Sequence, residues 1–180
     1  MISRRQYLPD VTVLPKRVNR LAEIDLSLLV SAGIKGVILD LDNTLVSEDD
    51  CYLSPGGELW LEKARNQGID FFVLSNGKRR YRVEFWSARL GVPAFSPAKK
   101  PLPRGFKRAF SYFGLSPAQV VVIGDSFHTD GMGALINGCR WIQVASLPHP
   151  PRWWERIAGR WVQFPYPKYL ELIEWKPEYD

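Results

Sequence analysis

The stretch Gly36-Val37-Ile38-Leu39-Asp40-Leu41-Asp42-Asn43-Thr44-Leu45 drives an apolar run straight into two carboxylates two residues apart. An apolar run this short, with no polar alternation, suits a strand buried on both faces of a parallel sheet. A carboxylate at the end of such a strand is costly to bury without a task, so Asp40 reads as functional rather than as a turn former. While the chain stays extended Asp40 and Asp42 share a face, and a turn starting there lets both converge on one ligand. Asn43 reads as a turn residue.

Two further runs repeat the pattern: Asp70-Phe71-Phe72-Val73-Leu74 ends at Ser75-Asn76-Gly77, and Val120-Val121-Val122-Ile123 ends at Gly124-Asp125. Trp141-Ile142-Gln143-Val144 reads as another strand and Val92-Pro93-Ala94-Phe95 as a short edge strand, where proline is tolerated. Helical stretches are expected at roughly 57–67, 79–90, 104–113 and 131–138, and Ile24 to Val30 reads as a helix leading into the first strand. This alternation predicts an α/β fold, a single three-layer, doubly wound, Rossmann-like domain on a parallel sheet. Ligands of such sheets bind beyond the carboxyl ends of the strands, where Asp40, Ser75 and Asp125 fall. The domain is expected over residues 1–146. Leu147-Pro148-His149-Pro150-Pro151 then forms a stiff link into a Pro/Trp-rich tail, 147–180, packed on the domain or extending it.

Asp125 and Asp130, in Gly124-Asp125-Ser126-Phe127-His128-Thr129-Asp130, add two more acids. Acids crowded together repel unless a cation neutralises them, and hard oxygen ligands of this sort suit Mg²⁺. The four motifs Asp40-x-Asp42-x-Thr44, Ser75 after an apolar strand, Lys100 in Lys99-Lys100-Pro101, and Gly124-Asp125-x-x-x-x-Asp130 stand in the order of the haloacid dehalogenase (HAD) superfamily, which the chain resembles from about Tyr7 to Val144. Leu8-Pro9-Asp10, Glu23-Ile24-Asp25, Gly33-Ile34-Lys35-Gly36 and Ala98-Lys99-Lys100-Pro101 are similar to the YqeG-like group of HAD subfamily IIIA, which includes phosphatidylglycerophosphate phosphatases.

The resemblance implies a phosphatase using an aspartyl-phosphate intermediate. Asp40 would be the nucleophile and Asp42 the general acid and base, with Lys100 offsetting charge. Thr44, Ser75 and Asn76 would serve substrate binding, Thr44 by orienting Asp42. Asp40, Asp125, the backbone carbonyl of Asp42, and Asp130 directly or through its neighbours would hold Mg²⁺. Ser75 has a second reading as a cap of the following helix, and Lys99 rivals Lys100. His128 stands where the family more often has an apolar residue and reads as packing on its loop. Cys51 reads as a loop filler.

Thirty-two residues separate Asp42 from Ser75 and 24 separate Ser75 from Lys100, too few to insert a cap domain. An uncapped site favours a bulky substrate presented by something else, with the phosphate of phosphatidylglycerophosphate first. A nucleotide, a sugar phosphate or a nucleic acid end is the enzymatic alternative. A non-catalytic module holding RNA or protein is the other, kept in view by Tyr81, Phe85 and Trp86 among basic residues, although a pure binder has no use for a buried acid cluster.

The net charge is +5 over 180 residues, but residues 78–108 carry +9 and the remainder −4. One basic stretch on a mildly acidic protein attracts anions. In the tail, Trp153, Ile157 and Trp161 would align on a helix beside Arg152, Arg156 and Arg160, a stripe fit either for an anionic membrane surface or for packing on the domain. Hydrophobic residues at 46% and charged residues at 24% exclude a disordered or collagen-like chain. No run approaches a membrane span, no secretory signal opens the sequence, and two cysteines build no disulfide framework. The expected location is the cytoplasm, with peripheral membrane contact possible for the tail.

Overall fold

The computed structural model describes residues 13–150, 157, 159 and 162–176. In chain order the elements are β1 (Arg17–Val18), α1 (Leu26–Ser31), β2 (Gly36–Leu39), β3 (Tyr52–Leu53), α2 (Gly57–Asn66), β4 (Asp70–Leu74), α3 (Arg80–Leu90), β5 (Ala94–Phe95), α4 (Pro103–Phe113), β6 (Val120–Gly124), α5 (Met132–Ile136), β7 (Arg140–Val144) and β8 (Ile173–Glu174). Six strands form one parallel sheet in the order β1-β7-β6-β2-β4-β5. The three apolar runs stand side by side at its centre, Val37 opposite Phe71 on one neighbour and Val121 on the other.

The side-chain period of two divides these strands between two cores. Val37, Leu39, Phe71, Val73, Val121 and Ile123 pack with Trp60, Leu61 and Ala64 of α2 and Val83 and Trp86 of α3. Ile38, Phe72, Leu74, Val120 and Val122 point the other way, onto Phe106 and Ala109 of α4 and Ala134 of α5. Helices therefore cover both faces, as the unbroken apolar runs require. Each helix carries its own reason: α4 begins with Pro103, which lacks only an N–H the first turn would leave unpaired, and buries Phe106 and Ala109 three residues apart while Lys107 and Arg108 stay outside.

The chain between Asp42 and Ser75 builds only a small hairpin-like loop, β3, α2 and β4, and that between Ser75 and Lys100 only α3 and β5. No inserted domain stands over the sheet among the described residues.

Three details differ from the sequence reading. The first helix runs Leu26–Ser31, because the Asp25 carboxylate accepts the Ser27 N–H at 2.8 Å and caps it there. The last stretch divides into a π-type turn, Phe127–Gly131, and the short α5. The two-residue strands β1 and β8 were not expected. β1 extends the sheet beside β7, and β8 returns from the tail to pair antiparallel with β3, Tyr52 opposite Glu174.

The described part of the tail packs against the domain. Ala145, Leu147 and Tyr166 form a small core with Phe164, Leu170 and Leu172, and the Trp175 ring lies 5.8 Å from that of Trp86. The Trp153, Trp154 and Trp161 stripe and its arginines lie outside the described residues.

Candidate active site

In the parallel register Leu39 lies opposite Val73 and Ile123, so β2 ends one residue before its neighbours, and Asp40 after β2, Ser75 after β4 and Asp125 after β6 gather within one residue of a common level. The Asp40 N–H still donates to Ile123 O at 2.9 Å, so Asp40 is held as the last rung of the ladder. The turn after Asp125 brings Asp130 back beneath it. Gly124 permits this approach, since a Cβ there would overlap the Asp130 carboxyl. Asp40, Asp125 and Asp130 offer carboxylate oxygens all within 4.8 Å of one another, and all three are buried.

Lys100 is the counter-charge. Its Nζ lies 2.6 Å from Asp40 Oδ1 and 2.7 Å from Asp130 Oδ1, while Lys99 is exposed. The structure thus places Lys100, the lysine that the motif names, against the acids and leaves Lys99 outside the cluster. Asn76 clamps the backbone of Lys100 from both sides, accepting its N–H at 2.7 Å and donating to its carbonyl at 3.1 Å. Asn76, expected from sequence at the substrate, has both ends of its amide engaged in holding Lys100, a role that sequence alone did not show.

Asp42 stands at the edge of the cluster, facing a different partner set. Its Oδ2 accepts the Ser75 hydroxyl at 2.8 Å, and its Oδ1 meets the Arg82 guanidinium. Ser75 also accepts the Gly77 N–H at 2.9 Å, so it organises the loop before α3 rather than capping that helix. Gly77 leaves room for both groups; a Cβ there would stand 2.9 Å from Ser75 Oγ. The Thr44 hydroxyl is buried without a hydrogen-bond partner among the described residues. Orientation of Asp42, expected from Thr44, is instead supplied by Arg82 and Ser75.

Arg82 is the residue that sequence reasoning missed, counted there only as one charge of the basic stretch. It is 2% exposed and joins Asp42 to Asp50, with Nη2 donating to Ser47 O at 2.9 Å. Arg79 approaches Asp50 from outside at 2.9 Å. Much of the local positive charge is therefore compensated by the loop after β2. Lys78, Arg79, Arg82 and Lys100 do line the open cleft of about 360 Å³ above the acids, along with His128 and Gln163. His128 Nδ1 is 2.7 Å from Ser126 Oγ, which ties it to its own loop as expected.

The electrostatics follow from crowding under burial. Loss of hydration, then the neighbouring Asp130, raise Asp40 well above the usual carboxylate range, with Lys100 pulling the other way. The same two causes lift Asp125 to about 7, against hydrogen bonds from Ser146 and Gln163 and the charge of Lys100. Burial disfavours the ammonium of Lys100, but Asp130 and Asp40 outweigh it and hold the group above its ordinary value. The donor set fits a hard divalent cation: three buried carboxylates with one ammonium against them, strained by their own repulsion.

A doubly wound α/β domain binds its ligands beyond the carboxyl ends of its strands, which is where this carboxylate and lysine centre lies. The profile of haloacid dehalogenase-like hydrolases matches residues 47–136. The chain is 36% identical over 144 residues to the probable phosphatase YqeG of Bacillus subtilis (strain 168), covering 80% of each protein. It is 29% identical over 116 residues to the chloroplastic phosphatidylglycerophosphate phosphatase 1 of Chlamydomonas reinhardtii, covering 59% of this chain and 43% of that one. A crystal structure from Streptomyces avermitilis assigned to the HAD hydrolases shares the fold at a TM-score of 0.51 and 16% identity, over 76% of this chain and 72% of the other. The chain belongs to the haloacid dehalogenase-like hydrolase family.

Proposed function

We propose that the protein is a divalent-metal-dependent phosphomonoesterase whose nucleophile is Asp40 and whose substrate is phosphatidylglycerophosphate. The observation that carries the chemistry is the convergence of Asp40, Asp125 and Asp130 around Lys100 at the strand ends.

In this reading Asp40 Oδ1 is occupied by Lys100 and by the Leu41 N–H at 2.8 Å, which leaves Oδ2 to attack phosphorus. The carboxylate displaces the alkoxide and becomes an acyl phosphate; water then releases phosphate and regenerates it. Asp42, at the mouth of the cleft, gives a proton to the leaving alkoxide and takes one from the attacking water. Ser75 and Arg82 fix both oxygens of Asp42, so its orientation does not depend on the substrate. Lys100 neutralises charge on the nucleophile and the phosphoryl group. Mg²⁺ would be held by Asp40, Asp125, Asp130 and the backbone carbonyl of Asp42, and when bound it offsets the negative charge between carboxylate and phosphate.

Metal dependence has a pH signature. A carboxyl lifted to about 7 holds its proton more tightly in the folded protein than in the unfolded chain, where it titrates near 4. Its contribution to stability is complete below about pH 4 and is lost as the pH rises through about 7. Mg²⁺ needs the ionised form, so its affinity rises over the same window. In EDTA the melting temperature should fall between pH 5.5 and 8. Millimolar Mg²⁺ should restore it at pH 8 and have little effect at pH 5.5. Thermal melts with equal Mg²⁺ stabilisation at both values would remove the cluster from the metal's binding site.

For the lipid, support comes from the name of the Chlamydomonas relative, from the short connections between Asp42 and Ser75 and between Ser75 and Lys100, and from the basic residues on the cleft. No helix among the described residues is long and apolar enough to cross a membrane. Phosphate release should be measured over a panel of phosphate esters, with phosphatidylglycerophosphate presented in anionic micelles and with or without Mg²⁺. The lipid should exceed every soluble ester at least about tenfold in kcat/KM. Preference for a nucleotide or sugar phosphate would overturn the substrate and leave the phosphatase intact; release from none would overturn both.

A further inference from the structure

The chain that follows β7 leaves through Leu147-Pro148-His149-Pro150, yet it comes back to the catalytic cluster. Gln163 Nε2 donates to Asp125 Oδ2 at 2.6 Å, and the Ser146 hydroxyl donates to the same oxygen at 2.7 Å. Gln143 on β7 stitches the two segments together: its Nε2 donates to the carbonyl of Asp125 at 2.9 Å and to that of Val162 at 3.0 Å. Backbone bonds on either side hold the segment in place, Ser146 N–H to Phe164 O at 2.8 Å and Tyr166 N–H to Ser146 O at 2.9 Å. Gln163 also lines the cleft.

We propose that the C-terminal segment is a structural part of the acidic centre, with Gln163 a positioning residue that sets how Asp125 presents its carboxylate to a divalent cation. The inference rests on reading the cluster as a metal centre. Its logic is geometric. Two donors saturate Oδ2 of Asp125, so the carboxylate can neither swing nor offer that oxygen freely, and Oδ1 is the oxygen left for a cation. A ligand fixed before binding loses less freedom when the cation arrives, and residues that orient metal ligands typically change affinity 10- to 100-fold when removed. Ser146, two residues past β7, could not do this alone, because a hydroxyl provides a single O–H donor on a bond that rotates. The amide of Gln163 comes from a segment 38 residues away in sequence and locks the tail into the site by the same contact.

The test uses the full chain with Mg²⁺ alone as probe. Gln163→Met keeps the length of the side chain and removes its polar atoms; Gln163→Asn keeps the amide but is one methylene too short to reach Asp125. Mg²⁺ affinity is read from calorimetric titration and from the metal-induced shift of the melting temperature at pH 8, with circular dichroism to confirm the fold. Both variants should bind Mg²⁺ about tenfold more weakly than the parent. Hydrolysis of a soluble aryl phosphate should drop at low Mg²⁺ and recover at saturating Mg²⁺, with KM for the ester unchanged. Affinity within twofold of the parent in either folded variant would overturn the proposal. So would a fall in rate that saturating Mg²⁺ does not repair, which marks Gln163 as a substrate contact instead. If the parent itself binds no Mg²⁺, the metal centre falls first, an outcome distinct from variants that bind like the parent.

Discussion

Asp40→Asn should reduce phosphate release by at least about a thousandfold while the protein melts no lower than the parent in EDTA at pH 8. The two halves have separate causes. An amide is too poor a nucleophile to accept the phosphoryl group, and Asp130, the other carboxylate that Lys100 holds, has its second oxygen taken by the Ser126 N–H and the Thr129 hydroxyl. Stability behaves differently because the parent carboxyl is buried among acids that repel it. Burial and Asp130 raise Asp40 well above the carboxylate range, so ionising it in the absence of metal opposes folding. A neutral amide removes that repulsion, and Lys100 keeps Asp130 as its partner at 2.7 Å. Single-turnover phosphate release and a thermal melt check both claims. Residual turnover above a tenth of the parent would take the nucleophile's role from Asp40, and a sharply lower melting temperature would make its contribution structural.

Arg82→Met should be the most damaging single change to stability at the site. The guanidinium is almost fully buried, and it joins Asp42, Asp50 and the Ser47 carbonyl. Removing it leaves Asp42 with the Ser75 hydroxyl and Asp50 with the half-exposed Arg79, and breaking a buried pair from one side typically costs about 3–5 kcal/mol. For a chain of this size that is a melting temperature lower by about 10 °C. Turnover should collapse as well, because Asp42 retains only Ser75 to orient it. Arg82→Lys should recover less than half of the loss, since an ammonium cannot bridge both acids as the planar guanidinium does. Adding Asp50→Asn to Arg82→Met should raise the melting temperature above that of the single variant. A single variant melting within 2 °C of the parent would show that solvent in the open cleft compensates the pair.

The central sheet and the positions of its acids were legible from local pattern alone. Val37, Ile38 and Leu39 are apolar on consecutive residues, and only a strand covered on both faces buries all three. Once three such runs are laid parallel and in register, Asp40, Ser75 and Asp125 must arrive together, because the ends of neighbouring strands are less than 5 Å apart in the sheet direction. The helices between the strands followed from the same alternation, and their ends shifted by a few residues where a cap such as Asp25 set the start.

Tertiary structure alone decided which polar groups touch. Lys99 and Lys100 are equivalent in composition, and only the course of the loop turns one into the cluster and leaves the other in water. Arg82 meets Asp42 across 40 residues and Gln163 meets Asp125 across 38. Such contacts have no local signature, since one of the ten basic residues in 78–108, or one glutamine in a tail, carries no periodicity to mark it. The two-residue strands β1 and β8 are silent for the same reason: a pair of residues is too short to show a period, and their pairing is chosen by the partner edge they meet. Burial repeats along the chain and is written in it, whereas a hydrogen bond between distant segments exists only after the core has fixed where those segments lie.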